Sequence, residues 1–391
     1  MDLDALAEIR TPAGSAALEA ASALSHLDPL AAASALRATG VPPSLAAAAL
    51  TQAELRRKAV GKFGDDADRM LFTRAGLEQA TRREVADRRA RRLADTGVRN
   101  LIDLGCGIGS DAFAAARAGI RVLAVDADEV TATVASANAS ALELDVTVTY
   151  ATAEGTELAG ADAAFCDPAR RKGNSRIFDP AAFSPSWDFV RHLVETVPRS
   201  VLKLAPGIDH AMIPRDAEAE WVSVDGDVVE AAFWCGPLAS SSPRRATVFH
   251  DGEVDELVGD GSSEAPLGPP DRFVHNPDGA VLRAHLLAEL ASLVGGRIAD
   301  PTIGYLYTPT AITTPFTRCY EIDDVMPFSL KKLRAEMRRR GIGRLTVKKR
   351  GSALDPAALR RDLRLSGSEE ATIILTRVAG APTVLICQPV A

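Results

Sequence analysis

Asn100-Leu101-Ile102-Asp103-Leu104-Gly105-Cys106-Gly107-Ile108-Gly109-Ser110-Asp111 is the stretch whose reading sets the fold. A short apolar run reads as a buried strand, three glycines follow at alternate positions, and a helix begins near Ser110 and stops at Gly119. Glycine lets the backbone turn tightly and lets a ligand approach without a Cβ in the way. The helix start adds unpaired N–H donors. The same rhythm continues down the chain, with strands expected at 100–104, 121–126, 146–151, 161–167, 200–205, 220–224 and 228–234. Seven strands, the last two adjacent, predict an α/β fold: a mostly parallel sheet whose final strand is antiparallel.

The chain has 391 residues, room for two or three domains. Its net charge of -7 argues against a protein basic throughout but leaves a local basic surface open. Five dispersed cysteines without a C-x-x-C exclude a disulfide scaffold and a zinc knuckle, and they suit a reducing, cytoplasmic setting. The start, Met1-Asp2-Leu3-Asp4, lacks the features of a signal peptide, and no apolar run is long enough to span a membrane. The histidines show no paired spacing with an acid, so no metal is expected.

Residues 1–61 are alanine-rich and broken by Pro12-Ala13-Gly14, Asp28-Pro29 and Gly40 to Ser44, which reads as a helical region with Ser44 as an N-cap. Gly76 to Ala94 reads as one longer helix ended by Gly97. Residues 62–238 hold the sheet. Residues 239–273, with Ser240-Ser241-Ser242-Pro243 and GDGSSEAPLGPP, read as a junction. Residues 274–391 form a smaller α/β unit, with strands expected at 316–322, 344–349, 371–378 and 384–388 and helices at 329–340 and 356–363.

A dinucleotide site wants G-x-G-x-x-G, but residue 110 is serine and Asp103 precedes the turn. An acid there repels a pyrophosphate and suits a cationic amino group. S-adenosylmethionine therefore fits better than NAD. Asp126 ends the second strand, where one carboxylate can accept from both ribose hydroxyls, with Ala127 next to it.

With these residues in hand, 62–238 resembles the class I S-adenosylmethionine-dependent methyltransferases, which implies a Rossmann-like seven-stranded sheet. Asp103, Gly105, Gly107 and Gly109 match the first motif of that family, and Asp126 matches its ribose-binding acid. The resemblance implies an acid and a small residue near the adenine. Thr152-Ala153-Glu154 stand there, with Thr152 where Asp is usual, leaving a backbone contact or Glu154 as alternatives.

The fourth strand ends Cys166-Asp167-Pro168-Ala169-Arg170-Arg171-Lys172. Methyltransferases acting on exocyclic base amines carry Asp/Asn-Pro-Pro-aromatic at the similar place. The Asp167 side chain and the Pro168 carbonyl can accept the amine's N–H groups and hold it in line with a methyl group. Ala169 replaces the second proline, and Arg170 replaces the aromatic, able to stack on a base or hold a phosphate. Arg171 and Lys172 extend a basic lip. D-P-A-R also resembles the uracil-5-methyltransferase signature, but the fifth strand is followed by no cysteine nucleophile. Lys203 on that strand is either paired inside the sheet or reaches the site. In many methyltransferases the segment before the first strand, here Lys62-Phe63-Gly64 and Leu71-Phe72-Thr73-Arg74, closes over the cofactor; Thr73 also reads as an N-cap.

Between Lys331 and Arg350 ten residues are basic, including Lys331, Lys332, Arg338, Arg339, Arg340, Lys348, Lys349 and Arg350, and only Glu336 is acidic. Such density is the footprint of phosphate contacts, or else of arginines paired with acids elsewhere. On the stretches Tyr320 to Ser329, Gly343 to Gly351 and Ala371 to Arg377, the region from about 274 to 390 resembles the THUMP-like domain that follows the methyltransferase domain in a bacterial family. That resemblance implies RNA binding. The expectation is an S-adenosylmethionine-dependent methyltransferase acting on structured RNA, tRNA ahead of rRNA, by direct transfer to an exocyclic amine. A small-molecule methyltransferase and a catalytically silent RNA-binding protein stay open.

Overall fold

Short apolar runs flanked by alanine-rich segments bury both faces when they pair in parallel under crossover helices, and that is how this chain folds. The computed structural model describes residues 2–170 and 183–390. It divides into two units, residues 1–204 with 234–238, and residues 205–233 with 239–391.

The first unit opens with helices α1 (Leu3–Ile9), α2 (Pro12–Ala23), α3 (Pro29–Ala38) and α4 (Pro43–Phe63). Pro12, Pro29 and Pro43 each open a helix, where a missing N–H costs nothing, and Pro42 is the N-cap of α4. Thr11 and Asp28 cap two of these helices, whereas Ser44 is not a cap and lies inside α4. The single helix expected over 76–94 is two, α5 (Arg74–Gln79) and α6 (Arg83–Asp95). Thr73 caps α5 by accepting from Gly76 N. At its far end, Lys62 Nζ donates to the carbonyls of Leu77, Glu78 and Ala80 at 2.7–2.8 Å, groups a continuous helix would have used itself. Thr81 then turns away to bond Asp111.

Strands β1 (Asn100–Leu104), β2 (Arg121–Asp126), β3 (Val146–Tyr150) and β4 (Ala163–Cys166) follow, with α7 (Ser110–Arg117) and α8 (Glu129–Ala141) as crossovers. The short pair β5 (Ala169–Arg170) and β6 (Phe183–Ser184), α9 (Trp187–Thr196) and β7 (Ser200–Leu204) complete the unit. Its five long strands lie in the order β7-β4-β1-β2-β3, all parallel.

The segment before α5 is clipped into place by two buried amides. Gln52 of α4 exchanges two hydrogen bonds with the backbone of Phe72. Asn138 of α8 does the same with Leu71 and donates to the carbonyl of Ile108 in the glycine turn.

In the second unit, β8 (Glu218–Val224) and β9 (Asp227–Trp234) are joined by Asp225 and Gly226, both at positive φ, as a two-residue hairpin turn requires. The stretch expected as a junction holds a hairpin, β10 (Arg244–His250) and β11 (Glu253–Gly259), between its two turn-rich segments; β10 pairs in parallel with β8. Next come β12 (Phe273–Pro277), α10 (Gly279–Arg283), α11 (Leu287–Val294) and β13 (Leu306–Thr308). After them come β14 (Thr317–Pro327), α12 (Leu330–Arg339), β15 (Ile342–Lys349), α13 (Pro356–Leu363), β16 (Glu369–Val378) and β17 (Ala381–Pro389). These strands form a sheet in the order β13-β12-β14-β17-β16-β15. Leu333, Met337, Leu359 and Leu363 pack α12 and α13 on one core of it, while Ile303, Tyr305 and Tyr307 belong to another. Among the described residues no helix is long and apolar enough to cross a membrane.

Replacing Asn138 with Leu would orphan the buried N–H and carbonyl of Leu71. The expected loss is about 1–3 kcal/mol for each group left unpaired. A urea titration should show a lower midpoint with an unchanged slope.

Candidate active site

The parallel register sets the site. β1 and β4 run side by side, so the glycine turn after Leu104 and the Asp-Pro turn after Cys166 leave the sheet together. Asp167 N donates to Leu104 O at 3.2 Å. A Cβ on Gly105, whose φ is +92°, would stand 3.0 Å from the Asp167 carbonyl oxygen. Only glycine allows that approach at that backbone angle. Gly109, at φ +103°, caps α7 in the left-handed region. Around Gly107 no atom lies within 4 Å of a would-be Cβ, so the turn faces open space.

Asp103 lies beneath the turn, fully buried, and neither carboxylate oxygen has a hydrogen-bond partner among the described residues. Burial first, then the neighbouring Asp111 and Asp167, push its carboxyl well above the usual range, while Lys203 opposes the rise. A buried carboxyl so placed favours a cation above it, which fits the ammonium and sulfonium of S-adenosylmethionine. Asp126 accepts from Gly107 N and from Asp128 N, both at 2.9 Å, one on each oxygen. Each oxygen keeps a second lone pair for a hydroxyl. Burial raises the Asp126 carboxyl, and those two N–H groups partly offset it. Ala127 beside it is exposed. Thr152 caps a short turn over Ala153–Gly155 through its side-chain oxygen, and Glu154 accepts from Ser186 N, so neither is uncommitted.

Lys203 resolves an alternative. It is in the site, and its Nζ donates to Asp167 Oδ2 at 2.5 Å in a largely buried ion pair. Its signal in the sequence was a cation inside the apolar run Val201-Leu202-Lys203-Leu204. Sequence reasoning missed the roles of Asp111 and Gly76 and expected a different one for Lys62. Asp111 is held by Thr81 at 2.6 Å and by the buried guanidinium of Arg89. Lys62, rather than simply flanking the cofactor, caps α5, and burial, then Arg82 and Lys203, pull its ammonium down. Gly76 abuts Ile108, where a Cβ would come within 2.4 Å, so the pre-strand segment packs against the glycine turn. Pro168 is buried behind Asp167, and Ala169 and Arg170 pair with β6. Arg171 and Lys172 lie outside the described residues.

The basic stretch separates into kinds. Lys331, Lys332 and Arg338 are exposed with no acidic partner among the described residues. Arg339 and Arg340 pair with Glu336, drawing its carboxyl down to about 2, and Arg340 also reaches Asp323 and Asp324. Lys348 lies over the Tyr320 ring, and Lys349 donates to Leu354 O. Arg350 is turned inward to Asn276 and Pro277.

An uncharacterized S-adenosylmethionine-dependent methyltransferase of Mycobacterium tuberculosis (strain ATCC 25618 / H37Rv) is 33% identical over 351 residues, covering 86% of this chain and 95% of that protein. This chain belongs to the S-adenosylmethionine-dependent methyltransferases. The corresponding protein of strain CDC 1551 / Oshkosh is similar to the same extent. Residues 317–389 of the methyltransferase match a family model described as THUMP domain-like, and residues 2–59 match one described as a domain of unknown function. A putative methyltransferase from Porphyromonas gingivalis W83 shares the fold, with TM-score 0.73 over 90% of this chain and 92% of that one at 21% identity. The enzyme takes its methyl group from S-adenosylmethionine, and both resemblances read from the sequence are borne out.

A raised Asp103 carboxyl carries a pH signature. Ionised Asp103 attracts the cationic cofactor and protonated Asp103 does not. Cofactor affinity should therefore strengthen as pH rises through its elevated pKa, and Asp103→Asn should flatten the dependence. Calorimetric titration across mildly acidic to mildly alkaline buffers would read it.

Proposed function

We propose that this methyltransferase modifies an exocyclic base amine in structured RNA, tRNA ahead of rRNA, with guanine N2 the first candidate. The observation that carries the chemistry is Asp167, which ends its strand against Gly105 with one carboxylate oxygen taken by Lys203 and the other without a partner among the described residues. When bound, S-adenosylmethionine supplies a methyl group already activated by its sulfonium, so positioning provides most of the rate. Gly105, Gly107 and Gly109 with Asp103 would hold its methionine end, Asp126 and Ala127 its ribose, and Thr152 with Ala153 its adenine. Asp167 Oδ1 and the Pro168 carbonyl accept the substrate N–H groups and aim the nitrogen lone pair. As the nitrogen takes the methyl group it sheds a proton, for which the Asp167 carboxylate is the adjacent acceptor. Lys203 fixes the rotamer of that carboxylate and acts through it. Arg170, with Arg171 and Lys172, would meet the RNA backbone.

The RNA reading rests on the THUMP domain-like match and on the uncompensated charges of α12. Lys331 and Arg338 are seven residues apart, two helical turns, and so share a face. In this reading the transfer is made within residues 62–238, and residues 274–391 dock the nucleic acid.

Incubation of the protein with labelled cofactor and total RNA from a strain lacking it should label one nucleoside, identified by mass. Asp167→Ala should abolish labelling while cofactor binding persists. Lys203→Met should lower kcat by about tenfold or more with Lys203→Arg partly restoring it, as expected for loss of one charge-assisted bond. Label that survives Asp167→Ala would remove Asp167 from the chemistry.

Reversing the charge of Lys331, Lys332 and Arg338 should weaken RNA binding and reduce the slope of log affinity against log salt by up to about 3. These residues are chosen because Arg339 and Arg340 would lose structural partners as well. An unchanged slope would take α12 out of the interface.

A further inference from the structure

The second unit carries an open, shallow depression of about 690 Å³ on its surface. Two arginines stand at it. Arg350 follows β15, and its N–H donates to Leu375 O at 3.0 Å, which places Arg350 and Gly351 beside the Thr376-Arg377 end of β16. Arg350 is fixed: Nη2 donates to Asn276 Oδ1 at 3.0 Å and to Pro277 O at 3.1 Å, and the guanidinium lies over the Tyr305 ring. Arg377 donates from Nε to Gly351 O at 3.1 Å, which directs its guanidinium without using its outer N–H groups.

No carboxylate forms an ion pair with either arginine among the described residues. Asp300, which accepts from Thr302 and from Gly380 N, attracts Arg377, and Asp278, which caps α10 through Ala280 N, attracts Arg350, each from beyond ion-pair distance. Arg350 and Arg377 both line the opening, and a phosphate seated there would meet N–H donors from both. The space for it is kept by glycine. A Cβ on Gly304 would stand 2.7 Å from Leu282 Cδ2 and 3.7 Å from Arg350 Nη1. Leu282 and Ile303 give the depression an apolar wall.

We propose that this depression binds a phosphate-bearing ligand of nucleotide size, its phosphate between Arg350 and Arg377 and its sugar or base against Leu282 and Ile303. A forked guanidinium pair suits a phosphate, which offers several acceptor oxygens in matching geometry. A free nucleotide and a phosphorylated RNA end share this chemistry. The site lies on residues assigned no part in methyl transfer; a free nucleotide there stands apart from the RNA reading given above, whereas an RNA end rests on it.

Calorimetry on the full chain, saturated with S-adenosylhomocysteine so that the adenosyl site cannot answer, tests it. The probes are inorganic phosphate, uridine, uridine 5′-monophosphate and a short 5′-phosphorylated oligouridylate. The monophosphate should bind and uridine should not. Arg377→Gln should weaken monophosphate binding about tenfold or more, the loss of one charge-assisted contact. Gly304→Val keeps both charges but fills the depression, and it should weaken binding similarly. Both variants should keep the native circular dichroism and urea-unfolding midpoint, which shows they are folded. Tighter binding of the monophosphate than of the oligonucleotide would identify a free nucleotide, and the reverse an RNA end; either supports the site. It is overturned if no phosphate-bearing probe binds, if uridine binds as well as its monophosphate, or if both variants bind the monophosphate like the native chain.

Discussion

The close approach of Gly105 to the Asp167 carbonyl is the constraint on which the active site depends. Parallel pairing of β1 with β4 delivers two turns to one edge of the sheet, and a side chain at residue 105 would force them apart. Their contact places the open glycine turn and the Asp167 carboxylate within one small volume. A reaction that needs little from its protein beyond alignment is served by such rigidity.

Electrostatics build on that frame. Four acids, Asp103, Asp111, Asp126 and Asp167, gather about the turn, and each is managed differently. Asp111 is neutralised by Arg89, Asp126 is held by backbone N–H groups, and Asp167 is paired with Lys203. Asp103 alone of the four has no hydrogen-bond partner among the described residues and bears the cost of burial. A cationic cofactor is the group whose arrival relieves that cost.

The helices before the first strand share in this work. Gln52 and Lys62, both from α4, fix the Phe72 backbone and the end of α5, and α5 in turn abuts Ile108. The amino-terminal helical region is thus a structural support for the glycine turn. In the THUMP domain-like segment, α12 carries a surface whose charge is partly cancelled by Glu336, Asp323 and Asp324, and its unpaired cations are fewer than a count of basic residues suggests.

Sequence alone determined the strand rhythm, the glycine turn, the acids at residues 103, 126 and 167, and the order of elements from residue 317 onward. These are local properties: apolar period, turn chemistry and residue type act within a few positions of one another. Tertiary structure alone decided the rest. Lys203 meets Asp167 from 36 residues away. The helix expected through Thr81 stops at Gln79 because Lys62 takes the carbonyls of Leu77, Glu78 and Ala80 and Asp111 takes the Thr81 hydroxyl. Arg350, one basic residue among ten, turns inward because Asn276 and Pro277 are there to accept it. Which charge is spent and which is left for a ligand depends on partners brought together only by packing, and no window of sequence contains them.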